Sequence, residues 1–531
     1  MGLVKNKLGM TIMVLALVGT ISCEQKKKEE IQIETQQPTM PVLAKKKQNA
    51  ILQMGITLTD TLEGKQLEAF TFSLEGTTDI SDIANATVFY GEANVMEEET
   101  VFGMITKPTA KFTIAGSSPI RSGEHNFWLS VELKDIPKLT HRIKAELISV
   151  KFSDGTEGKP KITSEEKPLR IGVALRQAGE DDIDTYRIPG LATTNKGTLI
   201  AVYDNRYNDP VDLQEDIDVG MSRSTDGGQK WEPMKVIMDM GVYGGLPEDQ
   251  NGIGDPAVLV DKNSNTIWVA ALWLHGHPGE RAWNASQPGM SPKETGQLIL
   301  VKSEDDGVTW SKPINITSMT KKPEWQLFFN GPGAGITMEN GTLVFAAQYK
   351  DKDRVPHSTI IYSEDSGITW TVGTGAKSET TEAQVVEISK GVLMLNMRDD
   401  RNRANRKDSI NGRSVAISRD LGKTWREHPT SRKALIEPNC MASILAYEHP
   451  ERGKILFFSN PNAKTKRDHI TIKASFDGGM SWPEKNQLEL YEEGTYGYSC
   501  LTLVDEDHIG ILYEGTKELY FQKIPISDLI R

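Results

Sequence analysis

"SEDDGVTW" at residues 303 to 310 has close copies in "STDGGQKW" (224 to 231), "SEDSGITW" (363 to 370), "SRDLGKTW" (418 to 425) and "SFDGGMSW" (475 to 482). Their serines stand at 224, 303, 363, 418 and 475, at intervals of 79, 60, 55 and 57 residues. A box recurring at such intervals marks one supersecondary unit per copy. Within each box an Asp can accept hydrogen bonds from turn amides, a Gly can take a positive φ and a Trp can pack behind the turn. The boxes therefore read as structural hairpins rather than as catalytic or metal-binding groups.

Ahead of each box lies a pair of apolar runs around a turn. The first is "YRIPGLATTNKGTLIAVYDNR", and "DPAVLVDKNSNTIWVAALW", "GAGITMENGTLVFAAQY", "AQVVEISKGVLMLNMRD" and "MASILAYEHPERGKILFFSN" repeat the arrangement. A sixth pair, "SCLTLVDEDHIGILYE", follows the last box. One more strand before each box and one after it give four per unit, so residues 168 to 531 are predicted to form a six-bladed β-propeller. A strand near "LRIGVAL" would close the ring. Between about 51 and 166, runs such as "EAFTFSLEG", "NATVFYGE" and "HNFWLSVEL" alternate with period two, which predicts an N-terminal β-sandwich. The chain is all-β on this reading.

The first 23 residues, "MGLVKNKLGMTIMVLALVGTISC", place Lys5 and Lys7 before an apolar stretch that ends in small residues. This is a secretory signal, too short to span a bilayer. The "TISC" ending is similar to a bacterial lipobox, with Thr20 where leucine is usual, and makes Cys23 the lipidated N-terminus; an ordinary cleaved signal is the alternative. The expected location is the outer membrane, on its periplasmic or outer face, held by an anchor of several acyl chains. Residues 24 to 50, rich in Lys, Glu and Gln, read as a flexible tether. Cys440 and Cys500 lie in apolar runs, as buried thiols or as a single bridge. The net charge of -12 argues against a nucleic-acid partner. Neither an H-E-x-x-H pair nor a thiolate cluster is present, so no metal or other cofactor is expected, with a calcium ion on backbone and carboxylate oxygens as the open alternative, and the chain is read as a monomer.

In a propeller the innermost strands line a central channel, and residues from different blades meet at its mouth. With Lys390 as the centre of its turn, Glu382 lies eight residues before it and Arg398 eight after, so antiparallel pairing sets them side by side. Arg187 stands nine residues before Lys196 and Arg206 ten after it, at the same end of the first hairpin. Tyr498 enters the sixth hairpin, Arg467 precedes the strand leading to the fifth box, and Asp212 precedes the strand leading to the first. Several arginines at one mouth point to an anionic ligand, above all a carboxylate held by bidentate pairs.

"YRIPG" at 186 to 190, together with the S-x-D-x-G-x-T-W boxes, resembles the bacterial exo-sialidases over roughly residues 168 to 531. The resemblance implies that Arg187, Arg398 and Arg467 bind the carboxylate of sialic acid. It implies Tyr498, in "YSCL", as nucleophile and Glu382, in "EAQVVE", as its base. The acid/base aspartate lies in the loop after the first hairpin; Asp212 is the choice, with Asp209, Asp216 and Asp218 close by. Asp255 in "GDPAV" matches a contact to the sugar's O4 hydroxyl, and Arg206 a further sugar contact. The implied substrates are sialylated glycoproteins, gangliosides and oligosaccharides. Transfer, a 2,7-anhydro product, or a binding protein without catalysis are the alternatives, and Glu382, Tyr498 and Asp212 together argue against the last. The insert "WLHGHPGERAWNASQPGMSPKETGQ" (273 to 297) starts at the mouth, as an aromatic lid or as a surface loop.

Overall fold

The computed structural model describes residues 31–58, 65–92, 95–161, 166–213, 215–276, 282–403 and 410–530. The leader and Cys23 lie outside the described residues. Strands dominate, as the period-two runs predict. In the N-terminal part a five-stranded sheet runs in the order Ile31–Gln36, Asn49–Leu58, Gly123–Leu133, Ile83–Glu92, Val95–Thr106. A four-stranded sheet runs Glu157–Gly158, Glu146–Phe152, Gln66–Ser73, Lys111–Pro119. Phe70 of the second sheet meets Phe102 and Phe127 of the first, with ring centroids 5.1 and 5.0 Å apart. Burial of such rings removes apolar area from water at about 25 cal/mol per Å².

The tether expected over 24 to 50 is corrected where it is described. Ile31–Gln36 pairs along its length with Asn49–Leu58, and Val42–Ala44 lies parallel to Leu169–Arg176. The average composition of the stretch is polar, but "IQIETQ" alternates, and Ile33, Val42, Leu43 and Ala44 are buried. Six residues of alternation are enough for an edge strand and are lost in a composition window.

Beyond residue 168 the chain forms six antiparallel meanders. The first comprises Thr185–Thr193, Leu199–Arg206, Ile217–Ser224 and Lys235–Met238; the second comprises Asn251–Val260, Ile267–His275, Gln297–Ser303 and Ile314–Asn315. One parallel pair, Ile217 with Gly252, joins these two, and Gly333–Ala334, parallel to Asn251–Val260, completes a nine-stranded sheet. The third is built on Leu343–Lys350 and Pro356–Ser363 with short pieces on either side. The fourth runs through Thr380–Ser389, Val392–Asp399, Ser414–Ser418 and Arg426–Glu427, and the fifth through Ser443–His449, Gly453–Pro461, Ile470–Ser475 and Gln487–Tyr491. The sixth takes Ser499–Asp505, His508–Glu514 and Leu519–Pro525, and its fourth strand is Leu169–Arg176, the "LRIGVAL" stretch. Apolar clusters fill the space between successive sheets: Met221 with Trp273, Trp268 with Phe345, Val344 with Leu395, Met394 with Phe458, Phe457 with Tyr513. The sixth meander packs on the first through Leu191, Leu199, Leu512 and Phe521.

Each box lies between the third and fourth strands of its meander, away from the leading strands. In the third box Ser363 Oγ and Thr369 N and Oγ1 donate to the Asp365 carboxylate, while Gly367 N, at φ 87°, donates to Ser363 Oγ. Asp305 in the second box makes the same bonds, and those from Thr309 hold its carboxyl down at about 2. Asp365→Ala is therefore expected to cost about 1–2 kcal/mol of stability while leaving kcat within about twofold, as read by calorimetry and steady-state kinetics. For Asp305 the folded form is favoured above its ordinary 3.8, and that contribution is lost as pH falls through about 2. Asp305→Asn should flatten acid unfolding in that window.

Candidate active site

Three leading strands break register where the predicted site residues stand. Pairing slips between Arg187 and Gly190, between Gly254 and Ala257, and between Thr380 and Ala383, and both Ile188 and Asp255 take a φ of 55°. A bulge bends the strand and re-aims its side chains, which is how Arg187, Asp255 and Glu382 turn toward one mouth. Gly497, just before Tyr498, has a φ of 93°, and a Cβ there would stand 2.9 Å from Cys440 Sγ and 3.1 Å from Arg467 Cβ. Only glycine lets the chain turn Tyr498 inward at that point.

Tyr498, 5% exposed, is the centre of the site. Its hydroxyl donates to Glu382 Oε1. Arg398 Nη1 donates to Glu382 Oε2 at 2.6 Å and to the Tyr498 oxygen at 3.1 Å, and Nη2 donates to Asn439 Oδ1 at 3.1 Å. Arg467 is held by the carbonyls of Tyr496 and Asn439, each at 2.9 Å, and its guanidinium lies 5.8 Å from the Tyr498 ring centroid. The Arg187 guanidinium lies 5.5 Å from the same ring and 4.6 Å from that of Tyr496. The three predicted carboxylate-binding arginines thus surround one phenol. Burial pushes the Tyr498 hydroxyl well above the phenol range and the Glu382 charge adds to this, with Arg398 and Arg467 only partly opposing. Burial also raises the Glu382 carboxyl, but Arg398, the Tyr498 hydrogen bond and Arg467 outweigh it and hold the group low. The pair at rest is a neutral phenol donating to a carboxylate.

Asp212 occupies the other side of the mouth. Its Oδ1 accepts from Arg206 Nη1 at 2.7 Å and Arg187 Nη1 at 3.2 Å, with its side chain 71% exposed. Partial desolvation raises this carboxyl, and the two guanidiniums reverse the effect and hold it at about 2. Among the neighbouring aspartates, Asp209 caps the amide of Val211, and Asp218 accepts from Tyr207 with its carboxyl pushed up to about 7 by burial. Asp212 is the one that reaches Arg187. Arg206 differs from expectation: it is fully buried, its donors taken by Asp204, Asp212 and the Pro210 carbonyl. Through Nη1 it supports Asp212. Asp255 lies in the field of Asp204, Asp212 and Glu382; burial first and these charges next push its carboxyl well up.

Three residues of the site were not foreseen. Glu514 is fully buried and accepts from Arg187 Nε at 3.1 Å, from the amide of Ile188 at 3.0 Å and from the amide of Tyr498 at 2.9 Å. It stands sixteen residues after Tyr498, the interval that separates Glu382 from Arg398, and that symmetry was its signal. Asp204, opposite Arg187 in the ladder, holds Arg206 and the amide of Asp255. Asn439 bridges Arg398 and Arg467. Cys440 and Cys500 are buried free thiols. Away from this site, Asp79, Asp82 and His141 bring three oxygen and nitrogen atoms together, but Lys134 Nζ already stands 2.8 Å from Asp82.

A phenol paired with a carboxylate and flanked by three arginines, at the strand ends of an all-β fold, suits a glycoside hydrolase. The comparisons agree. The family "BNR repeat-like domain" matches residues 197–512, and "N-terminal domain of BNR-repeat neuraminidase" matches 30–156. A sialidase of Bacteroides fragilis is 42% identical over 93% of this chain and 94% of its own length. A sialidase of Micromonospora viridifaciens is 30% identical over 66% of this chain and 52% of its own. Among solved structures, a Hadza microbial sialidase at 42% identity superposes with a TM-score of 0.86, covering 93% of this chain and all of that one. The chain belongs to the bacterial exo-α-sialidases with BNR repeats.

Removing the Glu514 carboxylate leaves Arg187 Nε and two amides without their acceptor. Glu514→Ala is expected to lose about 3–5 kcal/mol of stability in denaturant unfolding, and Glu514→Gln to lose less while lowering kcat/KM through the displaced Arg187.

Proposed function

We propose that the six meanders are the blades of a six-bladed β-propeller carrying an N-terminal β-sandwich, and that this exo-α-sialidase cleaves terminal α-linked sialic acids from glycoproteins, glycolipids and oligosaccharides with retention of configuration. The observation that carries the mechanism is the hydrogen-bonded run Tyr498–Glu382–Arg398 with the Arg187 and Arg467 guanidiniums 5.5 and 5.8 Å from the ring centroid. Arg187, Arg398 and Arg467 fix the substrate's carboxylate and orient the anomeric carbon. A carboxylate nucleophile would approach against that like charge, which is the reason for a neutral tyrosine, outside the two-carboxylate scheme of most glycosidases. A phenol with a pKa near 10 is short of its anion by about 4 kcal/mol at neutral pH, and Glu382 takes the proton as Tyr498 attacks. Asp212 protonates the leaving oxygen and then activates the water that releases the sugar.

In the free site Asp212 is an anion at about 2, neutralised by Arg206 and Arg187. A substrate carboxylate that engages Arg187 takes one of these cations away and adds a negative charge, so the Asp212 carboxyl rises toward a range in which it can carry a proton. Asp255 supplies a polar group for the sugar's hydroxyls. Sialylated glycans are the partners of a monomeric enzyme. Lys5, Lys7, the apolar run and Cys23 support export and a lipid anchor at the outer membrane. No helix of the described residues is long and apolar enough to cross a membrane.

The test is time-resolved proton NMR on α2,3-sialyllactose. Free α-sialic acid is expected first, with the β anomer following by mutarotation; a first-formed β anomer would remove Tyr498 from the role of nucleophile. Tyr498→Phe and Arg187→Lys are each expected to lose at least about 100-fold in kcat/KM with unchanged circular dichroism, and turnover near wild type in either would refute the assignment.

A further inference from the structure

The loop that carries Asp212 is fastened at an unusual residue. Val211 is 47% exposed and Asp212 is open, whereas Leu213 is only 3% exposed. Its socket is formed by Leu272 and Leu274 of the second meander and by Leu327 and Phe329, with Trp283 of the insert packed against it. Leu213 holds this place at a φ of 43°, a left-handed conformation that any residue with a Cβ resists and that persists only where the surroundings over-determine it. The insert is pinned beside the socket. Lys350 Nζ donates to the Trp283 carbonyl and lies 4.6 Å from its ring, Arg354 Nη2 donates to the Asn284 carbonyl at 3.1 Å, and the Trp283 ring meets Phe329 edge-on.

The Asp212 carboxylate itself is held by Arg206 and Arg187, and the second of these is the group that the substrate's carboxylate claims. During turnover, Arg206 and the Leu213 anchor remain. We propose that Leu213, seated in this apolar socket, is a positioning residue that keeps Asp212 within reach of the leaving glycosidic oxygen, and that the insert acts on catalysis through this socket. The inference rests on the reading of Asp212 as general acid.

Leaving-group dependence separates the two. A lactose leaving group needs a proton, whereas a nitrophenol departs as its anion. Asp212→Asn is expected to lose at least about 100-fold in kcat/KM on α2,3-sialyllactose and less than about tenfold on a nitrophenyl sialoside. Leu213→Ala should reproduce that discrimination with about tenfold or more on sialyllactose, Leu213→Met, of similar volume, should restore activity, and Leu213→Ala added to Asp212→Asn should bring no further loss. Trp283→Ala offers the same readout without touching the strained residue. Equal losses on both substrates in Leu213→Ala and Trp283→Ala, or a further loss in the double variant, would overturn the proposal. Absence of discrimination in Asp212→Asn would instead overturn the acid reading, and the inference with it.

Discussion

One buried carboxylate joins the first meander to the last. Glu514 accepts from Arg187 and the amide of Ile188 on the first and from the amide of Tyr498 at the entrance to the sixth. More than three hundred residues of chain separate these partners. Closing so long a path is an entropic cost that local contacts cannot offset, so the interaction makes sense only where every intervening sheet is already packed on its neighbour. The same carboxylate sets the first arginine and the tyrosine of the site, which ties the geometry of catalysis to the completeness of the fold.

Around this joint the charges alternate. Glu514 faces Arg187, Arg187 faces Asp212, Asp212 faces Arg206, and Arg206 faces Asp204; across the mouth, Glu382 faces Arg398. Buried ions on this scale survive because each is paired and hydrogen-bonded. The arrangement also leaves the site poised: a substrate's carboxylate enters a field where the strongest cations already hold protein anions, so binding must redistribute pairs. Asp212 is the most exposed of these anions, and in the proposed mechanism it is the one that yields.

Much of this was legible in the sequence, and for identifiable reasons. Five boxes and a sixth hairpin announce the repeated units, because a tight turn with Ser, Asp, Gly and Trp admits few substitutes for each function. Hairpin arithmetic placed Glu382 beside Arg398, since antiparallel pairing converts equal distance from a turn into adjacency. It said less about Arg206, which lies at the expected end and is fully buried. Strand position fixes where a residue stands along its hairpin; which way it faces depends on bulges, and the slips at Arg187, Gly254 and Thr380 have no signature in a single sequence. Glu514 escaped notice for a related reason, as a buried acid is revealed by its donors, and two of these are backbone amides. The edge strand at Ile31–Gln36 was hidden by the polar average around it.

The repeats and the site divide the labour of the fold between the two ends of each meander. At the outer turns the boxes repeat one set of hydrogen bonds with little variation, from Ser224 with Asp226 to Ser475 with Asp477. At several leading strands the pattern is broken: a slip with a left-handed residue at Ile188 and again at Asp255, a slip after Thr380, and a glycine turned at Gly497 before the last. Strained backbone is tolerated there because the rest of each sheet is regular and the spaces between sheets are filled with apolar side chains. Leu213 extends that logic into a loop, where a strained residue is held by its side chain rather than by a ladder. A site assembled from many strand ends can then place an acid, a base and a nucleophile on three different segments, each fixed by its own local device.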